Sequence, residues 1–287
     1  MKRQQYILAL SGLLLLIMLY FFGQTISPKK KSAVVSNDST GANMVKSIDI
    51  QDILEASKSK LKPEQQAYIN RLENSVVRGD VKEQQEKAYH QLAIFWKDSV
   101  QNGFLPFLYY NGQIAKLENS EKNLNFAAQL FLENLRGLDN VLLKTWMANQ
   151  AKELFERSLK IDPNNDSSKI GLGACYIFGS DANNPQEVMQ GIQQILEVAH
   201  RDSTNMYAQF MLGLGGAVSG QFDKAIERLT KVVDHQPDNL EAIMKLAEIN
   251  EQKGNKEQAV KWYEESKKLI TDPEILKEID NRIKSLQ

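Results

Sequence analysis

Apolar residues in the second half of the chain recur at helical spacing, and the pattern repeats. Residues 220–239 and 254–273 align at an offset of 34 residues. The alignment pairs side chains of similar character: Ala225 with Ala259, Ile226 with Val260, and Leu229 with Tyr263. A fixed period of this length is typical of a solenoid, in which each unit is a helical hairpin that packs on its neighbours. The pattern therefore predicts an all-α protein built from stacked hairpins.

Turn residues separate the predicted helices. Gly220 and Gly254 each follow the first helix of a unit, where glycine can end a helix in a left-handed conformation. The first helices are predicted over 206–219 and 239–253, and the second helices over 223–235 and 256–270. Pro163 and Pro237 follow second helices, which they cannot continue. The last segment, 273–287, places isoleucines on one face and is expected to be a solubilising capping helix.

These residues resemble the tetratricopeptide repeat family. One unit matches the family motif at Leu212, Gly213, Gly220, Ala225, Leu229 and Pro237. The next unit matches at Leu246, Ala247, Gly254, Ala259 and Tyr263, and the preceding one at Leu172, Gly173 and Tyr176. We assign repeats to residues 148–272 and irregular relatives of the repeat to residues 61–147. The resemblance implies a helical-hairpin solenoid that binds another protein and needs no cofactor.

The N-terminal segment has a different character. Residues 6–23 contain no charged side chain and, as a helix, would span about 27 Å, close to one hydrocarbon core. We predict a basic tail (1–5), a transmembrane anchor (6–26) and a flexible linker (27–60). A cleaved signal peptide is the alternative. The short basic tail favours a bacterial inner-membrane protein with its soluble domain in the periplasm, whereas the lysines at 29–31 favour the opposite orientation.

Composition and candidate chemistry argue against an enzyme. The formal net charge of −1 gives no general attraction to nucleic acid. Cys175 lies in an apolar predicted helix, where a buried inert thiol is expected. His90, His200 and His235 are far apart, and no two histidines have the spacing of a metal site on one helix. The sequence therefore predicts no catalytic residues, no cofactor and no metal ligands.

A protein or peptide is the expected ligand. By resemblance, the first helices line a concave face that holds it. The inner positions of three successive units are Ile170, Ala174, Ile177 and Phe178, then Tyr207, Phe210, Leu214 and Val218, then Glu241, Met244, Glu248 and Glu251. This face lacks the lysines and asparagines with which some family members grip a terminal carboxylate. Its apolar middle and acidic end suit an amphipathic or extended segment that carries positive charge.

Two alternatives stay open at this stage. The apolar inner residues could instead be covered by the irregular N-terminal helices, and the repeats could join copies of the same chain in a structural assembly. Gly215 and Gly216 are also unexplained, because each costs up to about 1 kcal/mol inside a helix relative to alanine. A close helix crossing from the irregular region, or contact of Gly215 with a partner's backbone, would account for them.

Overall fold

The computed structural model describes residues 48–287 except 79–80, 99–102 and 180–183. The predicted tail (1–5), the anchor (6–26) and most of the linker (27–60) lie outside the described residues. The described part contains thirteen α-helices. In chain order they are α1 (Ile50–Lys58), α2 (Pro63–Arg78), α3 (Lys82–Asp98), α4 (Phe104–Glu118), α5 (Glu121–Leu135), α6 (Val141–Ile161), α7 (Asp166–Gly179), α8 (Pro185–Arg201), α9 (Met206–Val218), α10 (Phe222–His235), α11 (Leu240–Gln252), α12 (Lys256–Lys267) and α13 (Pro273–Leu286).

Consecutive helices pack as hairpins, which confirms the predicted all-α hairpin architecture. Helices α5 and α6, α7 and α8, α9 and α10, and α11 and α12 form four successive pairs. Within each pair the helices are neighbours in sequence, and the first helix of a pair also contacts the next first helix from α5 to α11. The first helices therefore form one row along the stack.

The helix ends follow the turn chemistry of the sequence. Gly220 and Gly254 have φ angles of +73° and +78°, so both adopt the left-handed conformation expected of glycine after a helix. Asn140, Asn205 and Asn239 cap the helices that follow them, because each side chain accepts a hydrogen bond from a backbone N–H in the first turn. These caps fix where the hairpins begin and turn.

The folded region begins before the predicted end of the linker. Helix α1 occupies residues 50–58, within the range that we expected to be a flexible linker. Its amphipathic pattern explains the difference, because it buries Leu54 against apolar residues of the helices that follow. Asp49 caps the helix by accepting a hydrogen bond from the backbone N–H of Gln51 at 2.9 Å.

Small residues allow the paired helices to approach closely. A methyl group added at Gly173 in α7 would lie only 2.7 Å from the carbonyl oxygen of Gly191 in α8. At Gly213 in α9, the added carbon would lie 2.6 Å from Cγ of Leu229 in α10. In these two hairpins the first helix therefore packs on the second at a distance that glycine permits and a larger residue does not.

The contacts of α9 with neighbouring helices explain the two extra glycines, Gly215 and Gly216. A methyl group at Gly215 would lie 3.0 Å from Cδ1 of Ile177 in α7 and 3.3 Å from Cγ1 of Ile192 in α8. At Gly216 it would lie 3.2 Å from Cβ of Ala225. Gly215 faces the preceding repeat, so neither a partner's backbone nor the irregular N-terminal region accounts for it, and the partner-contact hypothesis for this residue is not retained.

The buried side chains form one large core and two smaller ones. The large core runs from α4 to α11 and includes Phe131, Phe155 and Leu229. A separate core joins α1 to α4 around Trp96. At the other end, Ile279 and Ile283 of α13 cover Ala247, Ala259 and Tyr263, as expected for a capping helix. Within the described ranges, none of the helices combines the length and the apolar character needed to cross a bilayer.

The glycine contacts predict different costs for two alanine substitutions. Gly173→Ala should lower the free energy of unfolding by about 1–3 kcal/mol, because the added methyl group meets a backbone oxygen that cannot move independently. Gly215→Ala should cost less, because its closest neighbour is the flexible end of an isoleucine and alanine gains up to about 1 kcal/mol of helix propensity. Urea unfolding of both variants, followed by circular dichroism, checks the order. Equal losses would contradict this account of the crossing.

Candidate functional site

Six of the predicted partner-binding residues are buried in the core, and two of them, Ile177 and Leu214, also line a cavity. Ile170, Ala174 and Phe210 are 1%, 0% and 8% exposed, and Gly215 is also buried. These four residues are unavailable to a partner in this structure, which corrects their assignment to an open groove. The reason is that side chains from the row of first helices fill the space between repeats.

Helix α5 and the turn after it cover this part of the inner face. The hydroxyl of Tyr207, another predicted binding residue, donates a hydrogen bond to Oε1 of Gln129 in α5 at 2.9 Å. The guanidinium of Arg136, which follows α5, lies over the ring of Phe210 at 6.0 Å from its centroid. Gln129 and Arg136 belong to the irregular region upstream of the repeats. At Tyr207 and Phe210 the structure therefore agrees with the alternative in which upstream helices cover the inner face.

The remaining predicted residues, apart from Tyr207, line three cavities on the described surface. The first, which we call the corner cavity, has a volume of about 540 Å³ and lies where α6 and α8 begin and α7 and α9 end. Val141, Met189 and Val218 are 59%, 42% and 55% exposed on its walls. Its lining is mostly apolar: Val141, Lys144, Thr145, Ile177, Phe178, Gly179, Pro185, Val188, Met189, Val218, Ser219 and Gln221.

The second, which we call the central cavity, is about 410 Å³ and carries charges of both signs. Its lining residues are Glu133, Arg136, Gly137, Lys144, Phe178, Leu214, Ala217, Val218, Glu241 and Lys245. Nη1 of Arg136 donates to Oε1 of Glu241 at 2.8 Å, which joins the turn after α5 to the start of α11. Lys245 is paired with Glu248 one turn along α11. Two of the cations in this cavity are therefore already neutralised.

The third, which we call the terminal cavity, lies between α11, α12 and α13 and has a volume of about 560 Å³. Its walls combine apolar and acidic side chains: Met244, Glu248, Glu251, Gln252, Tyr263, Ile275, Glu278, Ile279 and Arg282. Three of these, Met244, Glu248 and Glu251, belong to the predicted partner-binding set. The acidic end expected from the sequence thus corresponds to a surface cavity.

Glu251 is the best-defined charged group in the terminal cavity. Its Oε2 accepts hydrogen bonds from the hydroxyl of Tyr263 and from Nε of Arg282, both at 2.8 Å. Burial acts to raise the pKa of Glu251, but the hydrogen bonds from Arg282 and Tyr263 outweigh it, so the pKa lies below the ordinary value of 4.5. Burial and the bond to Glu251 raise the pKa of Tyr263 to about 12. At neutral pH the cavity therefore holds an ionised carboxylate beside a neutral phenol.

The three cavities form a continuous series along the described surface. The corner and central cavities share Lys144, Phe178 and Val218. The central and terminal cavities meet along α11, where Lys245 of one pairs with Glu248 of the other. The surface thus changes from apolar, through mixed charge, to acidic, and its charged middle differs from the apolar middle expected from the sequence.

The candidate chemical groups occupy different environments. Cys175 is fully buried, and burial raises the pKa of its thiol, which suits the inert role expected for it. His200 and His235 are exposed near the ends of α8 and α10. His90 differs from them, because the structure places it beside Glu86 and Glu118. The sequence gives no sign of this group, because Glu118 comes from a different helix and the spacing of the histidines does not mark it.

Three cavity residues were also missed because they come from outside the predicted inner positions. Arg136 and Lys144 belong to the irregular region upstream of the repeats, and Arg282 belongs to the capping helix. The local pattern around Arg136 gave no sign that it would reach Glu241, which is 105 positions away. Their position depends on how successive hairpins curve, which a helical period does not specify.

Comparison with known proteins supports the repeat in the C-terminal part. Residues 219–276, from the turn after α9 to the start of α13, match the family model described as tetratricopeptide repeat, which confirms the repeat there. No curated protein matches the chain. Among solved structures, MamA 41-end from Desulfovibrio magneticus RS-1 is 20% identical with a TM-score of 0.43, over 64% of this chain and 94% of that one. YrrB, described as a TPR protein with an unusual peptide-binding site, is 15% identical with a TM-score of 0.41, over 68% and 91%.

The lowered pKa of Glu251 predicts an acid-sensitive contribution to stability. Because the folded-state pKa lies below 4.5, the ionised carboxylate stabilises the fold at neutral pH, and this contribution is lost as the pH falls from 4.5 through the folded-state value. Glu251→Gln should lower the melting temperature at pH 7 by roughly 2–4 °C per kcal/mol lost. The melting temperatures of the two proteins should converge as the solution is acidified. A constant difference down to pH 3 would contradict the assignment, and Glu227→Gln on the exposed face of α10 is the matched control.

Proposed function

We propose that this chain is a non-catalytic scaffold, tethered to a membrane, that binds a segment of another protein along the corner, central and terminal cavities. The proposal rests on the change in the side chains that line these cavities, from apolar in the corner cavity to acidic in the terminal cavity. Val141, Met189 and Val218 expose apolar surface at one end, and Glu248, Glu251 and Glu278 place carboxylates at the other. Exposed apolar surface around a concave site is typical of places where a partner binds.

The lining indicates the chemistry of the bound segment. Apolar side chains of the partner would enter the corner cavity beside Phe178 and Val218, where their burial supplies most of the binding energy. Lysine or arginine side chains would reach the terminal cavity, where three glutamates lie near two cations, Arg282 in the lining and Lys245 beside it, so that negative charge is in excess. An amphipathic or extended segment with basic residues toward one end satisfies both conditions.

The central cavity disfavours a partner held by its terminal carboxylate. Such a ligand needs several cations that can bind it, but of the three in this lining Arg136 is paired with Glu241 and Lys245 with Glu248, which leaves Lys144. A carboxylate that entered would have to displace these glutamates, at the cost of leaving their charges without a partner. The middle of the site therefore serves better to position the partner's backbone than to capture an acidic end.

The membrane tether rests on the sequence of residues 6–26. An uncharged run of this length is sufficient to cross a hydrocarbon core, and the basic tail before it favours an inner-membrane protein whose repeats face the periplasm. Residues 27–49 would then form the linker that connects the anchor to α1.

Site-specific photocrosslinking tests the binding surface. The full chain, produced in a bacterial host, carries p-benzoylphenylalanine in place of Val218 or Gln252, which lie at the apolar and acidic ends of the series. Both positions should yield an adduct with the same partner, and the crosslinked peptide should carry apolar residues at the Val218 end and lysine or arginine at the Gln252 end. Glu248→Lys should reduce the adduct at Gln252 about tenfold, which corresponds to about 1.4 kcal/mol.

Controls distinguish this proposal from its alternatives. Glu227→Lys, a reversal on α10 away from all three cavities, should leave the yield unchanged. A photoreactive residue at Glu227 should give no adduct with that partner. Adducts between two copies of this chain would instead support the self-assembling structural role. Equal adduct yields from Val218 and Glu227 would overturn the proposed site.

The tether predicts how the protein fractionates. The full chain should stay with the membrane pellet after alkaline carbonate extraction and should keep its N-terminal residues. Replacing Leu14 and Leu15 with arginine should release it, because each arginine costs about 2.5–3.5 kcal/mol at the centre of a membrane helix. Replacing the same two leucines with isoleucine is the control. An N-terminal sequence that starts after residue 23 would show a cleaved signal peptide instead.

A further inference from the structure

Helices α3 and α4 bring three metal-binding side chains together in the irregular region, away from the three cavities. Glu86 and His90 lie one turn apart on α3, and Glu118 is the last residue of α4. Nε2 of His90 is 3.5 Å from Oε1 of Glu118 and 4.0 Å from Oε1 of Glu86. One donor atom from each of the three side chains lies within 4.8 Å of the others.

These separations are close to those of a tetrahedral metal site. Zinc binds imidazole nitrogen and carboxylate oxygen at about 2.0–2.2 Å, so two ligands of a tetrahedral ion lie roughly 3.3–3.6 Å apart. The distance between His90 and Glu118 is already in this range. The side chains of His90, Glu86 and Glu118 are 48%, 35% and 21% exposed, so they have room to move inward and are open to an ion from solution.

A neighbouring helix orients the carboxylate of Glu118. Its Oε2 accepts a hydrogen bond from Nδ2 of Asn123, on the first turn of α5, which leaves Oε1 directed at His90. The backbone just after Glu118 is also fixed, because Asn119 adopts a left-handed conformation with φ of 52° and its N–H donates to the carbonyl of Ala115. Contacts of this kind, from outside the ligand set, hold the ligands of known metal sites in position.

The charge and softness of the ligand set select the class of ion. Two carboxylates and a neutral imidazole carry two negative charges, which a divalent cation balances. The imidazole nitrogen favours zinc or another late first-row transition metal over calcium and magnesium, which prefer oxygen ligands alone. Three protein ligands leave the fourth tetrahedral position for water.

We propose that Glu86, His90 and Glu118 bind one zinc-type divalent ion, which fastens α3 to the corner between α4 and α5. The ion would link α3 to the end of α4, two helices that also share the buried core around Trp96. The proposal is independent of the proposed binding function, because none of the three ligands lines the cavities.

Metal titration of the full chain, purified in a mild detergent without a histidine tag, tests the proposal. Zinc should bind with a stoichiometry of one and raise the melting temperature. Cobalt should give the visible absorption of a tetrahedral site with nitrogen and oxygen ligands. His90→Ala and Glu118→Gln should each weaken zinc binding at least tenfold, and Asn123→Ala about 10–100-fold through the loss of ligand orientation.

His200→Ala and His235→Ala are the matched controls, because both histidines are exposed on other helices. Neither substitution should change the zinc affinity. Because His90 is half exposed, its replacement should leave the helical content unchanged, and circular dichroism verifies this. The proposal is overturned if the full chain does not bind zinc, or if His90→Ala binds it as tightly as the unsubstituted protein.

Discussion

The architecture depends on how closely two helices of one hairpin can approach. At Gly173 and Gly191 the backbones of α7 and α8 come so near that an added methyl group on α7 would lie 2.7 Å from a carbonyl oxygen of α8. Such contact lets the large side chains on either side interlock without voids, which is where the packing energy of an interior arises. A hairpin made in this way still has an apolar flank, so the next hairpin must cover it.

That requirement explains why much of the inner face is closed. Each first helix has to bury one flank against the previous first helix. Ile170, Ala174 and Phe210 are therefore buried between repeats and cannot contact a partner. Only residues toward the ends of the first helices and along the last repeat remain accessible. The candidate binding surface is therefore a set of cavities at corners and at the terminus, and not one open groove.

Much of the C-terminal fold could be predicted from the sequence, because its determinants are local. The period of 34 residues, the glycines at 220 and 254 and the start of α13 at Pro273 all depend on neighbours within one hairpin. The acidic character of the terminal cavity was also accessible, since Glu248 and Glu251 follow one another at helical spacing on α11. What could not be predicted involves distant residues. The contact of Arg136 with Phe210, and the approach of Glu118 to His90, depend on crossing angles that the helical period leaves open.

The ion pair between Arg136 and Glu241 has a mechanical consequence. It connects the turn after α5 to the start of α11, two segments 105 positions apart. The pair therefore spans the ends of α7 and α9 and links two repeat units directly. A partly exposed pair of this kind contributes only about 1 kcal/mol or less and is weakened by salt. Ordinary changes in ionic strength can therefore loosen this contact, whereas the buried core that runs from α4 to α11 still joins the same repeats.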